Sequence, residues 1–392
     1  MNRCPCCFYP LPPHRYAWVC TGRCSVERDE VASRYSGWEV QKRPVTELDL
    51  HDPARPQKGG PPDGMVCRGC GSRTEDQVCP NCHYGPLIRD WRKAETVCIA
   101  MTGARTTGKS CYVGIVIKEL EAYLLEMNLP LVFADASTTE VYTRVYEAPL
   151  LRQSLIGPTR VVKDAEVDAR PLIWNMGAVG KRQRYLVVRD LPGEELEGDI
   201  SGSEHLRFLA QADAVFFMFD PLKVPEIADR LRGLVPTNAV GGDPQNVLNN
   251  VLRLIGSSQT RLAVVLSKFD TLEELRKVKG TEWCRVMSNP GAAVIRCPGA
   301  SVGYDDNDGR LVDLEVRSLL LKLNAQKLVV SLEQPSSCRP VPHRYFAVSV
   351  LGHAPRADGL NPLGISPHRC LDPLKWVLAE TGTIPVTSRA SA

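Results

Sequence analysis

The chain has 392 residues, 43% hydrophobic and 24% charged, with a net charge of +3. This is the composition of a globular protein with one large domain plus a small one, or two to three ordinary domains. The small charge argues for neither nucleic acid nor a membrane surface, no apolar run reaches the roughly 18 residues of a membrane span, and no apolar stretch after Met1–Cys7 makes a signal peptide, so a cytoplasmic placement is expected.

Nine of the fifteen cysteines fall in the first 82 residues, mostly in close pairs, which is metal-site spacing rather than a disulfide framework. Cys67-x-x-Cys70 and Cys79-x-x-Cys82 are two knuckles that can present four thiolates to one tetrahedral Zn²⁺, a zinc ribbon. Cys4-x-x-Cys7 and Cys20-x-x-x-Cys24 form a looser second set, with Cys6 spare or a substitute ligand and His83 an alternative ligand. Each set is expected to hold its own ion. A cross-braced pairing is the alternative, disfavoured by more than forty intervening residues. The expected organisation is a zinc module at 1–40, a Pro/Gly-rich linker at 41–63, a zinc ribbon at 64–92, a nucleotide domain at 95–382 and a tail at 383–392. Arg15, Tyr16, Trp18, Arg23, Arg68 and Arg73 could serve a nucleic-acid surface, but nearby acidic residues dilute it, and protein docking or a structural role is preferred.

The apolar run Val97–Met101 reads as a buried strand, and Val113, Val116, Ile117, Leu120, Leu124 and Met127 recur at helical spacing. Between them lies Gly103-Ala104-Arg105-Thr106-Thr107-Gly108-Lys109-Ser110, which fits the phosphate-binding loop G-x-x-x-x-G-K-[ST]. Its amides, through Cys111 at the helix start, can surround an anion at the positive end of a helix. Lys109 would reach the β- and γ-phosphates and Ser110 would bind Mg²⁺.

Tyr185–Val188 reads as a second strand, ending in Asp190-Leu191-Pro192-Gly193, a D-x-x-G motif. Asp190 would hold Mg²⁺ through water and the Gly193 amide would meet the γ-phosphate. Leu262–Leu266 leads into Ser267-Lys268-Phe269-Asp270, which resembles the [NT]-K-x-D guanine motif of GTPases; the resemblance implies that Asp270 accepts from two guanine N–H groups while Lys268 packs along the base. Ser267 replaces the usual Asn or Thr and has shorter reach. Tyr345–Val350 is a last strand, with a backbone N–H near Ser349 assigned to guanine O6. A resemblance to Ras-like GTPases would also require a switch I threonine on Mg²⁺, for which Thr159 is the choice, with Thr138 or Thr139 as alternatives.

On these motifs, in this order, residues 95–382 resemble a Ras-like P-loop GTPase of the TRAFAC class with insertions. The D-x-x-G-E letters of Asp190–Glu194 and the helix start at Leu371–Trp376 resemble bacterial double-GTPase families of conflict and defence systems. The resemblance implies an α/β fold with a mainly parallel sheet, the cofactors GTP, Mg²⁺ and Zn²⁺, and an effector or regulator protein as partner. It also implies GTP hydrolysis through Lys109, Thr159, Glu194 and Arg105. Glu194 stands where a water-orienting Gln is usual, so slow turnover is expected. Arg105 could act as an internal finger, although a solvated loop arginine is the plainer assignment. The alternatives are a P-loop ATPase and a non-hydrolysing zinc-ribbon adaptor.

Overall fold

The structure is a computed structural model that describes residues 2–53, 61–151, 170–232, 242–256, 258–277, 282–297, 302–335, 338–352 and 364–387. The N-terminal part carries a three-stranded antiparallel sheet: β1 (Arg15–Val19) lies between β2 (Val45–Asp49) and β3 (Gln77–Val78). Helix α1 (Glu30–Ser36) is capped by the Asp29 side chain, which accepts from the Ala32 N–H at 2.9 Å.

The rest is built on seven strands: β4 (Glu95–Thr102), β5 (Val132–Phe133), β6 (Leu172–Val179), β7 (Arg182–Asp190), β8 (Ala214–Phe219), β9 (Arg261–Leu266) and β10 (His343–Ala347). Their spatial order is β10-β9-β8-β4-β7-β6-β5. Every pair from β10 to β7 is parallel, while β6 runs antiparallel to both β7 and β5. This is the α/β, mainly parallel sheet expected of a GTPase-like fold. The loops that follow β4, β7, β8, β9 and β10 therefore open on one edge, where a parallel sheet binds its ligand.

The central strands are apolar on both sides because both faces are covered. In β8, Val215, Phe217 and Phe219 enter one core while Ala214, Phe216 and Met218 enter the other. The second core is closed by α2 (Lys109–Glu126) and by α7 (Asp372–Glu380). The first is closed by α4 (Pro244–Ile255), α5 (Asp306–Lys322) and α6 (Gln326–Glu333), with α3 (Ala136–Val141) lying beside β6. Residues 244–255 are helical. Asp243 caps the start, Pro244 sits in the first turn, and Val247, Leu248, Val251, Leu252 and Ile255 make a buried stripe.

Two parts of the expected organisation change. Residues 41–63 are not simply a linker: Gln41–Lys42 pairs with Glu27–Arg28, and β2 pairs with β1 along its length. The Pro/Gly density of the following residues masked the alternation of Val45, Thr46, Glu47 and Leu48. Near the C-terminus, Val386–Thr387 pairs with Tyr304–Asp305, so the tail is tied into the fold up to Thr387.

Candidate nucleotide site and cysteine clusters

The cysteines do not divide as two consecutive sets. Cys4 and Cys7 meet Cys79 and Cys82, while Cys20 and Cys24 meet Cys67 and Cys70. The first knuckle pairs with the fourth and the second with the third, because β1 runs between β2 and β3 and draws the distant knuckles to its two ends. One nested module replaces two separate ones. Sulfur–sulfur separations are 3.6 Å for Cys4–Cys82, 3.8 Å for Cys7–Cys79, 3.5 Å for Cys20–Cys70 and 3.6 Å for Cys24–Cys67. These are far too long for disulfides, and they match the edge of about 3.8 Å in a tetrahedron with 2.3 Å Zn–S bonds. Both sites therefore fit a tetrahedral thiolate-bound metal such as zinc. Hydrogen bonds from Ser72 and Arg23 bring Cys70 down to about 5, while hydrogen bonding with Cys70 and Cys67 pushes Cys24 of the same cluster up to about 12.

His83 is not a ligand. Its Nδ1 lies 2.8 Å from Asp29 Oδ2 and its Nε2 lies 3.3 Å from Glu47 Oε1, which binds α1 to β2. Tyr16 and Trp18 are buried in the module's own core, and the Arg92 guanidinium covers Tyr16 at 4.1 Å. Neither ring is available to stack on a base.

The module is docked on the large domain. Phe8 enters its main core and meets Phe208 edge-on at 5.2 Å. Arg3 pairs with Asp213 at 2.8 Å, and Arg189, on β7, donates to the Cys6 carbonyl at 2.6 Å while its guanidinium covers Phe208. Arg34 of α1 pairs with Glu204 at 3.0 Å. All of these contacts but the Arg3–Asp213 pair fall on the segment from Arg189 to Phe208, which begins beside the D-x-x-G motif.

At the phosphate loop, β4 ends at Thr102 and α2 begins at Lys109. Gly103 has φ +138, and a Cβ there would lie 2.1 Å from the Met218 carbonyl. The loop can leave the strand this tightly only with glycine. Thr106 adopts a left-handed φ of +62, and the Thr107 hydroxyl donates to the Ala104 carbonyl at 3.0 Å. Lys109 curls over the loop, donating to the Gly103 and Ala104 carbonyls at 2.8 and 3.2 Å. Burial holds its ammonium below the usual lysine range, against the pull of Asp190, Glu194 and Glu197.

Gly193 packs directly on this loop. A Cβ there would lie 2.6 Å from the Arg105 amide nitrogen, so the D-x-x-G turn and the phosphate loop share one wall. Asp190 is held by Tyr146, whose hydroxyl lies 3.4 Å from Oδ2. The Arg105 side chain pairs with Glu194 at 2.6 Å, and its amide donates to Glu197 at 3.0 Å. Arg105 and Glu194 thus face each other, and Glu197 stands where an anionic ligand would take the amide. Thr159 lies outside the described residues. Thr138 and Thr139 are used locally: the Thr138 hydroxyl accepts from Ile173 at 3.0 Å and the Thr139 hydroxyl donates to Asp135 at 3.1 Å.

The base-side loops also converge. Lys268, at a left-handed φ of +51, pairs with Asp220 at 2.5 Å. The Ser349 hydroxyl donates to Asp270 at 2.6 Å, fixing one carboxylate oxygen. Two details differ from expectation. The Ser349 N–H is taken by the His368 carbonyl at 3.1 Å, so Ser349 enters the site through its hydroxyl rather than its amide. The Ser267 hydroxyl donates to the Phe219 carbonyl at 2.9 Å, and no hydrogen bond joins it to the phosphate loop among the described residues.

Sequence reasoning missed β8 and with it Asp220, although the apolar run AVFFMF between Asp213 and Asp220 was the available signal. Tyr146 and Glu197 carried no motif that could have marked them.

No family model matches the chain. A protein of Mycolicibacterium smegmatis described as "Putative ESX-1 scaffolding and assembly protein SaeC" is 40% identical over 389 residues, covering 98% of this chain and all of the relative. Among solved structures, the GDP- and phosphate-bound GTPase-like domain of S. cerevisiae Ski7 aligns at 11% identity and TM-score 0.34, over 75% of this chain and 52% of that one. Sup35 complexed with GMPPNP aligns at 16% identity and TM-score 0.25, over 67% and 39%. The chain thus spans about half or less of these two structures, and such low scores add nothing to the fold seen directly in the sheet. No helix among the described residues is long and apolar enough to cross a membrane.

Proposed function

The chain belongs to the SaeC family, and from that relation we propose that it is a guanine-nucleotide-controlled scaffold whose zinc-bound module responds to the nucleotide through the segment from Arg189 to Phe208. The observation that carries this proposal is the shared wall of Gly103–Ser110 and Asp190–Gly193. It puts the G-x-x-x-x-G-K-S loop and the D-x-x-G turn in contact, and the same turn leads into the residues that hold the N-terminal module, which supports a coupling between the two.

GTP would lie with its phosphates over the loop amides and Lys109. Mg²⁺ would be held by Ser110, with Asp190 through water and Thr159 from switch I. Lys268 and Asp270 would take the base. Held there, the ion would supply charge neutralisation at the β- and γ-phosphates. To admit the nucleotide, Lys109 must release the loop carbonyls and Glu197 must release the Arg105 amide. Closing the loop on GTP therefore pushes against residues 194–197, next to the segment that contacts Phe8 and Cys6.

Hydrolysis would be slow. Glu194 brings negative charge towards the phosphate and holds Arg105 in an ion pair. Under single turnover, Glu194→Gln should raise GTP hydrolysis about tenfold, the effect of roughly 1.4 kcal/mol on the barrier. Adding Arg105→Ala should cancel that gain. Identical rates in wild type, single variant and double variant would remove both residues from the reaction.

The relative's description concerns scaffolding and assembly, so protein partners are the consistent targets of the module and the switch segments. The likeness to defence-linked double GTPases rests only on the letters of Asp190–Glu194 and the start of α7. An ATPase remains the alternative if the Asp270 loop does not read a base.

A further inference from the structure

Outside both cysteine clusters and the nucleotide loops, three residues with metal-binding atoms meet at one end of the N-terminal sheet. His14 precedes β1, Asp49 ends β2, and His51 follows it. The antiparallel register places Arg15 opposite Asp49, and the Leu50 N–H donates to the His14 carbonyl at 2.8 Å. Two strand ends therefore fix the backbone that carries all three side chains. The imidazole rings lie one over the other, with centroids 4.3 Å apart and planes 7° from parallel. One ligand atom from each residue falls within a 4.8 Å span. Neither ring makes a hydrogen bond among the described residues, while Asp49 Oδ1 accepts from the His51 N–H at 2.9 Å and leaves its other oxygen to the cluster.

We infer that His14, Asp49 and His51 form a third metal site, which takes a borderline divalent cation, Zn²⁺ in the first instance. Two imidazoles and one carboxylate on a solvent-facing edge suit such an ion, with water in the open position. Neutral ring nitrogens supply the bonds without the thiolates that bury the ion in the two Cys4 sites. Binding draws the ligand atoms to about 3.3 Å apart, the edge of a tetrahedron with 2.0–2.1 Å Zn–N bonds. Exposed His51 and half-buried His14 reach this by side-chain rotation out of the parallel stack. The ion then clamps the turn after β2 to the start of β1. Because it is open to solvent, it exchanges faster than the ions at the cysteine clusters.

The test is metal content of the full, untagged chain equilibrated at buffered micromolar free Zn²⁺ after gel filtration. The expected result is one more zinc per chain than the two cysteine clusters account for. That extra zinc is lost in His51→Ala and in His14→Asn, and it is stripped by a weak chelator that leaves the cysteine-bound zinc in place. The proposal is overturned if the wild type holds only the cysteine-bound zinc. It is equally overturned if both variants keep the extra ion. His51→Ala touches no buried contact, so its fold, checked by its melting curve, should match the wild type.

Discussion

Lys109→Ala is expected to weaken Mg²⁺–GTP binding by at least about a hundredfold while leaving the melting temperature of the apo protein within a few degrees. Among the described residues the ammonium has two hydrogen-bond partners, both backbone carbonyls of the loop itself. On ligand binding these would be exchanged for phosphate oxygens. Charge-assisted hydrogen bonds of that kind are worth about 1.5–3 kcal/mol each, so two of them give roughly 3 kcal/mol or more, about two orders of magnitude. Removing the side chain also frees a group that burial disfavours in its charged form, which limits the loss of apo stability. Calorimetric titration with GTP and thermal melting of the same samples read both quantities. Unchanged affinity would mean that the loop does not hold phosphate.

The second large effect concerns Cys79. Cys79→Ser should release the metal of the Cys4, Cys7, Cys79, Cys82 site and unfold β1 to β3. The module has little apolar core of its own, chiefly Tyr16, Trp18 and Leu48, and the cluster around Cys4 and Cys79 is made of the thiols themselves. Structural zinc contributes about 10–16 kcal/mol in small domains, and little else here could replace it. The damage should spread, since Phe8 sits between Cys7 and the main core and the Cys6 carbonyl receives Arg189. Cys24→Ser removes a ligand from the other cluster, whose knuckles make none of these contacts. It should therefore lower the melting of the large domain much less. Zinc analysis and two-probe melting, with nucleotide binding as the second probe, separate the cases. Equal effects of the two variants on the large domain would show that the docking contacts do not transmit stability.

Much of the candidate site's backbone was legible because each motif is a local constraint. Gly103 must be glycine beside the Met218 carbonyl, and Gly193 must be glycine against the Arg105 amide, so the spacing carries the geometry. The strands that lead into these loops are continuous apolar runs, readable as buried parallel strands. What could not be read depends on contacts far apart in the chain. The knuckle pairing follows from β1 sitting between β2 and β3, a register decided by residues 15–19, 45–49 and 77–78 together. The ion pairs of Lys268 with Asp220 and of Arg105 with Glu194 join residues 48 and 89 positions apart. The docking of Phe8 on Phe208 spans 200 positions and leaves no periodic trace. Ser349 was placed by position alone, and its role passed from amide to hydroxyl because His368 takes the amide.

The central claim is that the Asp270 loop selects guanine for the phosphate loop at Gly103–Ser110. The most direct measurement is the affinity of the zinc-loaded chain for GTP and for ATP in the presence of Mg²⁺, repeated with Asp270→Ala. The account predicts a clear preference for GTP that disappears in the variant, whose ATP affinity is unchanged. Equal affinity for both nucleotides in the wild type, or a GTP preference that survives Asp270→Ala, would contradict it.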